Sequence, residues 1–162
     1  MADPPHTVSP RHYLGAVVID EVSLAPATAQ QEDERKVAVT DLLGANYFEP
    51  DGAAGGPYAL RIGLVENRLD LDISGEGYER RHLLSLQPFR RIVRDYITIC
   101  ESYNDALRNA SPGQIEAIDM GRRGLHNEGS DLLRERLAGK AATDLATARR
   151  LFTLLCALHW RG

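Results

Sequence analysis

The segment YALRIGLVENRLDLDIS, residues 58–74, carries the strongest β-strand signal in the chain. Apolar residues alternate with small or polar ones on both sides of Glu66-Asn67, as expected for strands with one buried face. Asn tolerates a positive φ angle, so Glu66-Asn67 fits the two-residue turn of a β-hairpin. The acids at positions 70 and 72 mark a solvent-facing side, which predicts an antiparallel sheet buried on one face.

The segments that flank this hairpin complete a small sheet and add one early helix. Apolar β-rich runs predict further strands, and acidic residues at 32–34 suit the first turn of a helix because they complement its dipole. The predicted elements are a strand over Leu14–Val22, a helix over Gln30–Leu43, a loop over 49–57, a turn over 75–81 and a third hairpin strand over His82–Leu86.

From Pro88 onwards the hydrophobic period changes from two to three and four, which predicts an amphipathic helix over residues 89–107. Ser111-Pro112-Gly113-Gln114 is a capping-box signature, and it predicts a second helix that continues to about Leu137. Thr143 or Asp144 is expected to cap a last helix.

Strands that precede a block of helices are typical of an α+β fold with the helices packed on one face of the sheet. We therefore predict a small antiparallel sheet of about four strands, one early helix and a three-helix C-terminal layer. A chain of 162 residues suits one domain. We predict a disordered N-terminus over residues 1–12 and a single domain over residues 13–162.

The charges are unevenly distributed along the chain. The formal net charge is −4, and 17 of the 19 basic residues are arginine. Residues 1–87 have a net charge of −7, and residues 88–162 have a net charge of +3. This pattern excludes a wholly cationic nucleic-acid binder. RNA binding by the mildly basic helical half remains the weakest of the functional hypotheses.

Several classes of protein and site lack their sequence signals. No apolar run approaches the ~18 residues of a membrane span, and the Pro-rich start lacks the apolar core of a signal peptide. Cys100 and Cys156 lie in apolar runs, which predicts two buried free thiols. No metal-binding or nucleotide-binding fingerprint is present. We predict a cytoplasmic protein with no cofactor and no metal.

Three glycines interrupt the second late helix, at Gly121, Gly124 and Gly129. Each costs a helix roughly 1 kcal/mol relative to alanine, so either the helix breaks there or close packing compensates. On a helical wheel, Gly121 and Gly129 share an apolar stripe with Leu125, which favours close approach of another backbone. The pattern leaves open whether that neighbour belongs to the same chain or to a second copy.

The flank of the same helix carries one acid, two guanidiniums, an imidazole and a hydroxyl. Arginine pairs bind phosphate or carboxylate, and histidine can transfer a proton near neutral pH. Such groups also form salt-bridged surfaces and interfaces, so the cluster is a candidate anion-binding site or interface. Its members are Asp119, Arg122, Arg123, His126 and Ser130.

The late helices also carry a family resemblance. The stretches LSLQPFRRIVRDYITICESY, SPGQIEAIDMGRRGLHNEGSDLLRERL and TARRLFTLLCALH resemble a bacterial family catalogued as uncharacterised protein family 0262. The hairpin region GGPYALRIGLVENRLDLDIS and the early DLLGANYFEP are also similar to it, so the resemblance extends over nearly the whole chain. It implies a small intracellular bacterial protein, no particular activity and no functional residues.

Two functional hypotheses from different classes follow. The first is a regulatory or adaptor protein that binds a protein partner or self-associates through its C-terminal helices, which accounts for the glycine stripe. The second is a phosphate- or nucleotide-binding enzyme or sensor that uses Arg122, Arg123 and His126. The sequence does not decide whether the protein is an enzyme. It also leaves open whether its four arginine doublets, at residues 80–81, 90–91, 122–123 and 149–150, converge in space.

Overall fold

The structure is a computed structural model that describes residues 11–160. A disordered segment is predicted over residues 1–12, and positions 1–10 of it lie outside the described residues. His12 is described, and its Nδ1 atom lies 2.7 Å from the hydroxyl of Tyr58. Within the described range, no helix combines the length and apolar character needed to cross a membrane.

The structure confirms the α+β class, with one early helix and three C-terminal helices, and adds two three-residue strands that the sequence did not predict. The strands are β1 Leu14–Ile19, β2 Phe48–Pro50, β3 Tyr58–Val65, β4 Arg68–Gly75, β5 Tyr78–Ser85 and β6 Ala141–Thr143; the helices are α1 Ala29–Gly44, α2 Arg90–Asn109, α3 Pro112–Leu137 and α4 Leu145–Ala157. The main sheet has the strand order β1-β3-β4-β5 and is mixed where an antiparallel sheet was expected, because β1 is parallel to β3 and only the other pairs are antiparallel. A second, two-stranded sheet pairs β2, inside the predicted loop 49–57, with β6.

The hairpin forms where the sequence predicts it. Glu66 and Asn67 have φ angles of 49° and 61°, so both adopt the left-handed conformation of a type I′ turn. The predicted turn over 75–81 is too long, because β5 already begins at Tyr78 and pairs with β4 over its whole length. Gly77, with φ at 67°, allows a tight turn where the sequence predicts a longer one.

The helices α3 and α4 cover one face of the main sheet. Leu133 and Leu137 of α3 line the same small internal space as Leu151 and Leu155 of α4 and the inward side chains of β3 and β4. All four leucines are at most 5% exposed. Burial of a leucine stabilises the fold by about 1.5–3 kcal/mol, so this interface is the main hydrophobic core.

The helix α1 is held against the end of α4 by a buried arginine. Arg35 is 4% exposed and donates from Nε to the carbonyl of Ala157 at 2.9 Å and from Nη2 to that of Leu158 at 3.1 Å. A guanidinium suits the negative end of a helix dipole. Arg35 therefore caps the carbonyl groups at the C-terminus of α4 and holds α1 in position beside it.

The helix α3 begins at the predicted capping box. Ser111 Oγ accepts a hydrogen bond from the backbone N–H of Gln114, whose side chain accepts one in return from the N–H of Ser111. Ser111→Ala should lower the free energy of unfolding by about 1 kcal/mol, measured by urea denaturation. Ser102→Ala, inside the exposed face of α2, is the matched control and should have no destabilising effect. Equal losses in both variants would contradict the capping role.

Candidate functional site

Three members of the polar cluster predicted on α3 lie together, with Asp119 between the two arginines. The Asp119 carboxylate is 2.5 Å from Arg122 Nη2 and 3.2 Å from Arg123 Nε. The Arg122 guanidinium also lies over the ring of Tyr103, with Cζ 4.8 Å from the ring centroid. Both guanidiniums therefore already have an anionic partner within their own helix.

His126 lies in the interior, among side chains of α2, α3 and α4. It is 9% exposed, and its ring meets Tyr96 and Phe152 edge-on at centroid distances of 5.3 and 5.2 Å. Its Nε2 lies 2.8 Å from Thr153 Oγ1, and its Nδ1 lies 3.3 Å from Ser130 Oγ.

The two hydroxyls beside the ring also bond to backbone carbonyls. Ser130 donates to the carbonyl of His126 at 2.6 Å, and Thr153 donates to the carbonyl of Arg149 at 3.1 Å. Since each hydroxyl has one proton, both oxygens face the ring as acceptors, and a neutral imidazole has one N–H to donate to one of them. Burial, followed by the charges of Arg149 and Arg122, lowers the pKa of His126 to about 4. His126 is thus a neutral interior side chain at pH 7.

The three glycines of α3 have different surroundings. A Cβ at Gly129 would lie 2.2 Å from the ring of Phe152, and one at Gly121 would lie 2.9 Å from Ile99 Cδ1. At Gly124 nothing lies within 4 Å. Helix α3 is continuous through all three positions. Gly129 and Gly121 thus let α4 and α2 of the same chain approach α3, whereas Gly124 faces open space.

The arginine doublets take separate partners. Arg91 Nη2 lies 2.9 Å from Glu128, Arg149 binds the side chain of Asn127, and Arg150 donates to the carbonyl of Ala45 at 2.9 Å. Arg81 pairs with Asp70 on the outer face of the sheet. The doublets therefore hold elements of the fold together and do not meet in one anion pocket.

The described residues also form a groove that no local sequence pattern predicts. It lies between α1 and α2, with α4 as its floor, and has a volume of about 630 Å³. We call it the α1–α2 groove. Its apolar and small side chains are Val37, Ala38, Tyr96, Ile97, Cys100, Cys156 and Ala157, and its polar rim includes Asp33, Glu34, Asp41, Glu101, Asn104 and His159.

The charge of this rim is predominantly negative. Of the lining residues, four are carboxylates and none is lysine or arginine. Glu34 is paired with His159, whose Nε2 lies 2.9 Å from its carboxylate. A second cavity of about 440 Å³ adjoins the groove along α2 and shares Gln31, Ile97, Glu101 and His159 with it. Its lining also includes Trp160 and two cationic side chains, Arg90 and Arg94.

Two thiols and a phenol lie at the base of the groove. Cys100 is half-buried and Cys156 is buried, and both are free. Burial raises the pKa of both thiols and of the Tyr96 phenol. The thiolate is the reactive form of cysteine, so these thiols are packing groups near neutral pH. Among the described residues, no cluster of three or more histidine, cysteine or acidic side chains is arranged to hold a metal.

The groove was missed because its parts are far apart in the sequence. Its three walls come from residues 28–41, 96–104 and 153–159, and no local pattern links them. One signal was present, namely the exposed Val37 on α1, whose side chain is 60% exposed. An apolar side chain on an acidic helix is too common at protein surfaces to identify a site by itself.

Comparison with known proteins gives a family and no solved structure. The uncharacterised protein family UPF0262 matches residues 11–161. A UPF0262 protein of Phenylobacterium zucineum is 66% identical over 152 residues, which cover 94% of this chain and 96% of the relative. One from Caulobacter vibrioides is 65% identical over 151 residues, covering 93% and 95%. One from Xanthobacter autotrophicus is 55% identical over 165 residues and covers both chains fully. No solved structure matches the chain.

Proposed function

The chain belongs to the uncharacterised protein family UPF0262, and we propose that it is an adaptor or regulatory protein that binds a cationic amphipathic helix of a partner protein in the α1–α2 groove. The observation that carries this proposal is the groove itself, with its apolar base and carboxylate rim. Amphipathic helices bind in grooves of this kind through apolar side chains spaced three and four residues apart.

The arrangement of the helices supports a helical ligand. Both α1 and α2 flank the groove, α1 packs directly on α4, and the helices α2, α3 and α4 form one continuous layer. Val37 is exposed on the groove side of α1, where it would meet the apolar face of a docked helix. Burial of such side chains supplies the affinity.

The charges favour a cationic partner over an anionic one. Asp33 and Asp41 line the groove without an ion pair within the described part of the chain. Carboxylates at a rim attract lysine and arginine side chains and speed association, and salt screens this effect. An anionic segment would meet like charges along α1.

The other hypotheses have less support. An anion site at Arg122 and Arg123 would have to compete with Asp119, and His126 is buried and neutral. Self-association through a glycine stripe on α3 would need Gly121 and Gly129, whose neighbouring space is taken by Ile99 and Phe152. With its protonated thiols and acidic rim, the groove is better suited to binding a partner than to catalysis.

A peptide titration tests the proposal with an internal reporter. Trp160 is the single tryptophan and lines the cavity that adjoins the groove, so its fluorescence should respond to a bound helix. We expect a designed Leu/Lys amphipathic helical peptide to bind the full-length protein with a dissociation constant of roughly 10–100 µM at low salt. Affinity should fall as salt is raised.

Matched controls separate groove binding from general charge attraction. A peptide with the same leucine pattern and glutamate in place of lysine should not bind. The double variant Asp33→Lys/Asp41→Lys should weaken binding of the Leu/Lys peptide at least about tenfold, whereas Asp70→Lys/Asp72→Lys on the outer face of the sheet should not. Equal binding by both peptides, or equal effects of both double variants, would contradict the proposed site.

A further inference from the structure

The two edges of the main sheet are protected to different degrees. At one edge, β5 carries Glu79, Arg80 and Arg81, and charged side chains prevent an edge strand from pairing with another chain. At the other edge, β1 has the sequence LGAVVI, without a charged residue. The edge of β1 therefore lacks the usual protection against pairing.

The hydrogen bonds of β1 show which backbone groups are free. Asp20 donates its N–H to the carbonyl of Ile62 at 2.8 Å, so residue 20 faces β3. The register of β1 against β3 is regular from Ala16 to Ile19, after a bulge between Leu14 and Ala16. Backbone groups alternate in direction along a regular strand, and Ala16 and Val18 therefore also face β3. The N–H and C=O groups of Val17 and Ile19 point away from the sheet.

One end of this edge is already occupied by a side chain. The Asn46 amide accepts from the N–H of Leu14 at 2.7 Å and donates to the carbonyl of Leu14 at 3.2 Å. Asn46 thus occupies, for one residue, the position of a neighbouring strand. It satisfies Leu14 and leaves Val17 and Ile19 as the open part of the edge, since the described residues offer these groups no other partner.

We propose that this edge pairs with β1 of a second copy of the chain, in antiparallel orientation about a two-fold axis at Val18. In an antiparallel pair, two outward-facing residues directly opposite each other exchange both N–H···O bonds. With Val17 opposite Ile19 of the other copy, and Ile19 opposite its Val17, all four free groups of each copy are satisfied. A register centred on Val17 would place Ile19 opposite Gly15, inside the bulge, and one centred on Ile19 would place Val17 opposite Glu21, beyond the end of β1.

The side chains agree with this register. Val18 points to the outer face of the sheet and is 54% exposed, and on the axis it meets its own symmetry copy. Between β1 and α1 lies a cleft of about 430 Å³. Its apolar lining consists of Ile19 and Val39, which the inward-facing Val17 and Ile19 side chains of the other copy can contact. The rest of its lining is polar or charged, namely Glu21, Glu32, Arg35, Lys36 and Thr40. The two sheets then join into one continuous eight-stranded sheet.

The proposal is tested by the mass of the full-length protein in solution and by a cross-link at the axis. Since the interface is small, we expect a reversible dimer with a dissociation constant in roughly the micromolar range. A non-hydrogen-bonded antiparallel pair brings Cα atoms to about 4.5 Å, within the range of a disulfide. Under mild oxidation, Val18→Cys should give a covalent dimer on a non-reducing gel, while Met120→Cys on exposed α3 should stay monomeric.

A charge at the axis provides the second test. Val18→Lys puts two like charges opposite each other in the dimer and should weaken dimerisation at least about 100-fold. It should leave the monomer folded because Val18 is exposed. Met120→Lys is the matched control and should leave the dissociation constant unchanged. A wild-type protein that remains monomeric up to roughly 500 µM, or a dimer unaffected by Val18→Lys, would overturn the proposal.

Discussion

Gly129→Ala is expected to lower the free energy of unfolding by about 2–3 kcal/mol, because the added methyl group has no space. A Cβ at this position would lie 2.2 Å from two atoms of the Phe152 ring. Phe152 is fully buried, and its ring also packs against His126 and Tyr96. The ring cannot move aside without disturbing the packing of α3 against α4, so the clash outweighs the gain of about 1 kcal/mol in helix propensity.

The measurement is thermal or urea denaturation of three glycine variants. Gly129→Ala should lower the melting temperature by roughly 5–10 °C. Gly124→Ala, where nothing lies within 4 Å, should raise stability by up to about 1 kcal/mol. Gly121→Ala should have a small effect because its neighbour is the flexible end of Ile99. Similar changes at all three positions would show that helix propensity, and not close packing, decides the outcome.

A double variant tests the identity of the clashing group. Phe152→Leu alone should cost about 1–3 kcal/mol, since it removes buried ring contacts. Combined with Gly129→Ala, it should cost less than the sum of the two single variants, because the smaller side chain leaves room for the methyl group. If the costs of the two single variants simply add in the double variant, the methyl group of Gly129→Ala clashes with a neighbour other than Phe152.

Acidification is expected to remove about 3 kcal/mol of stability through His126 alone. Its pKa is about 4 in the folded protein, against an ordinary value of 6.5, and one pKa unit corresponds to about 1.4 kcal/mol. Between these values the unfolded chain binds the proton and the folded protein does not. The contribution is therefore complete above pH 6.5 and is lost as the pH falls towards 4.

The measurement compares the wild type with His126→Gln, because carboxylates also titrate in this range. At pH 7 the variant should be the less stable protein, since it loses the contacts of the imidazole with Tyr96 and Phe152. As the pH is lowered from 7 to 4, the difference should shrink by about 2–3 kcal/mol. If the difference in free energy of unfolding between the two proteins stays constant from pH 7 to 4, His126 does not titrate in the interior.

Most of the elements could be predicted from local sequence patterns. The hairpin at Glu66-Asn67, the helix N-terminus at Ser111 and the helix N-terminus at Asp144 each depend on side chains within a few residues of the feature. The parallel pairing of β1 with β3 was not predicted, because the partners lie about 40 residues apart. The short sheet formed by β2 and β6 was missed because three-residue strands have no detectable period.

The candidate site was less predictable than the fold. Asp119, Arg122 and Arg123 do come together, as the helical spacing requires. His126 lies only four residues from Arg122, yet its side chain turns into the core. The α1–α2 groove was not predicted at all, because α1, α2 and α4 contribute to it from three separate parts of the chain.

The sequence by itself therefore determined the fold class, the order of the elements and the charge of each half, because these depend on composition and on short-range periodicity. Only the tertiary structure decided that the glycines of α3 serve packing within the chain, that His126 is a neutral core residue, and that a groove and an open strand edge remain at the surface. Burial, desolvation and surface shape depend on which distant residues become neighbours, and local sequence patterns do not contain that information.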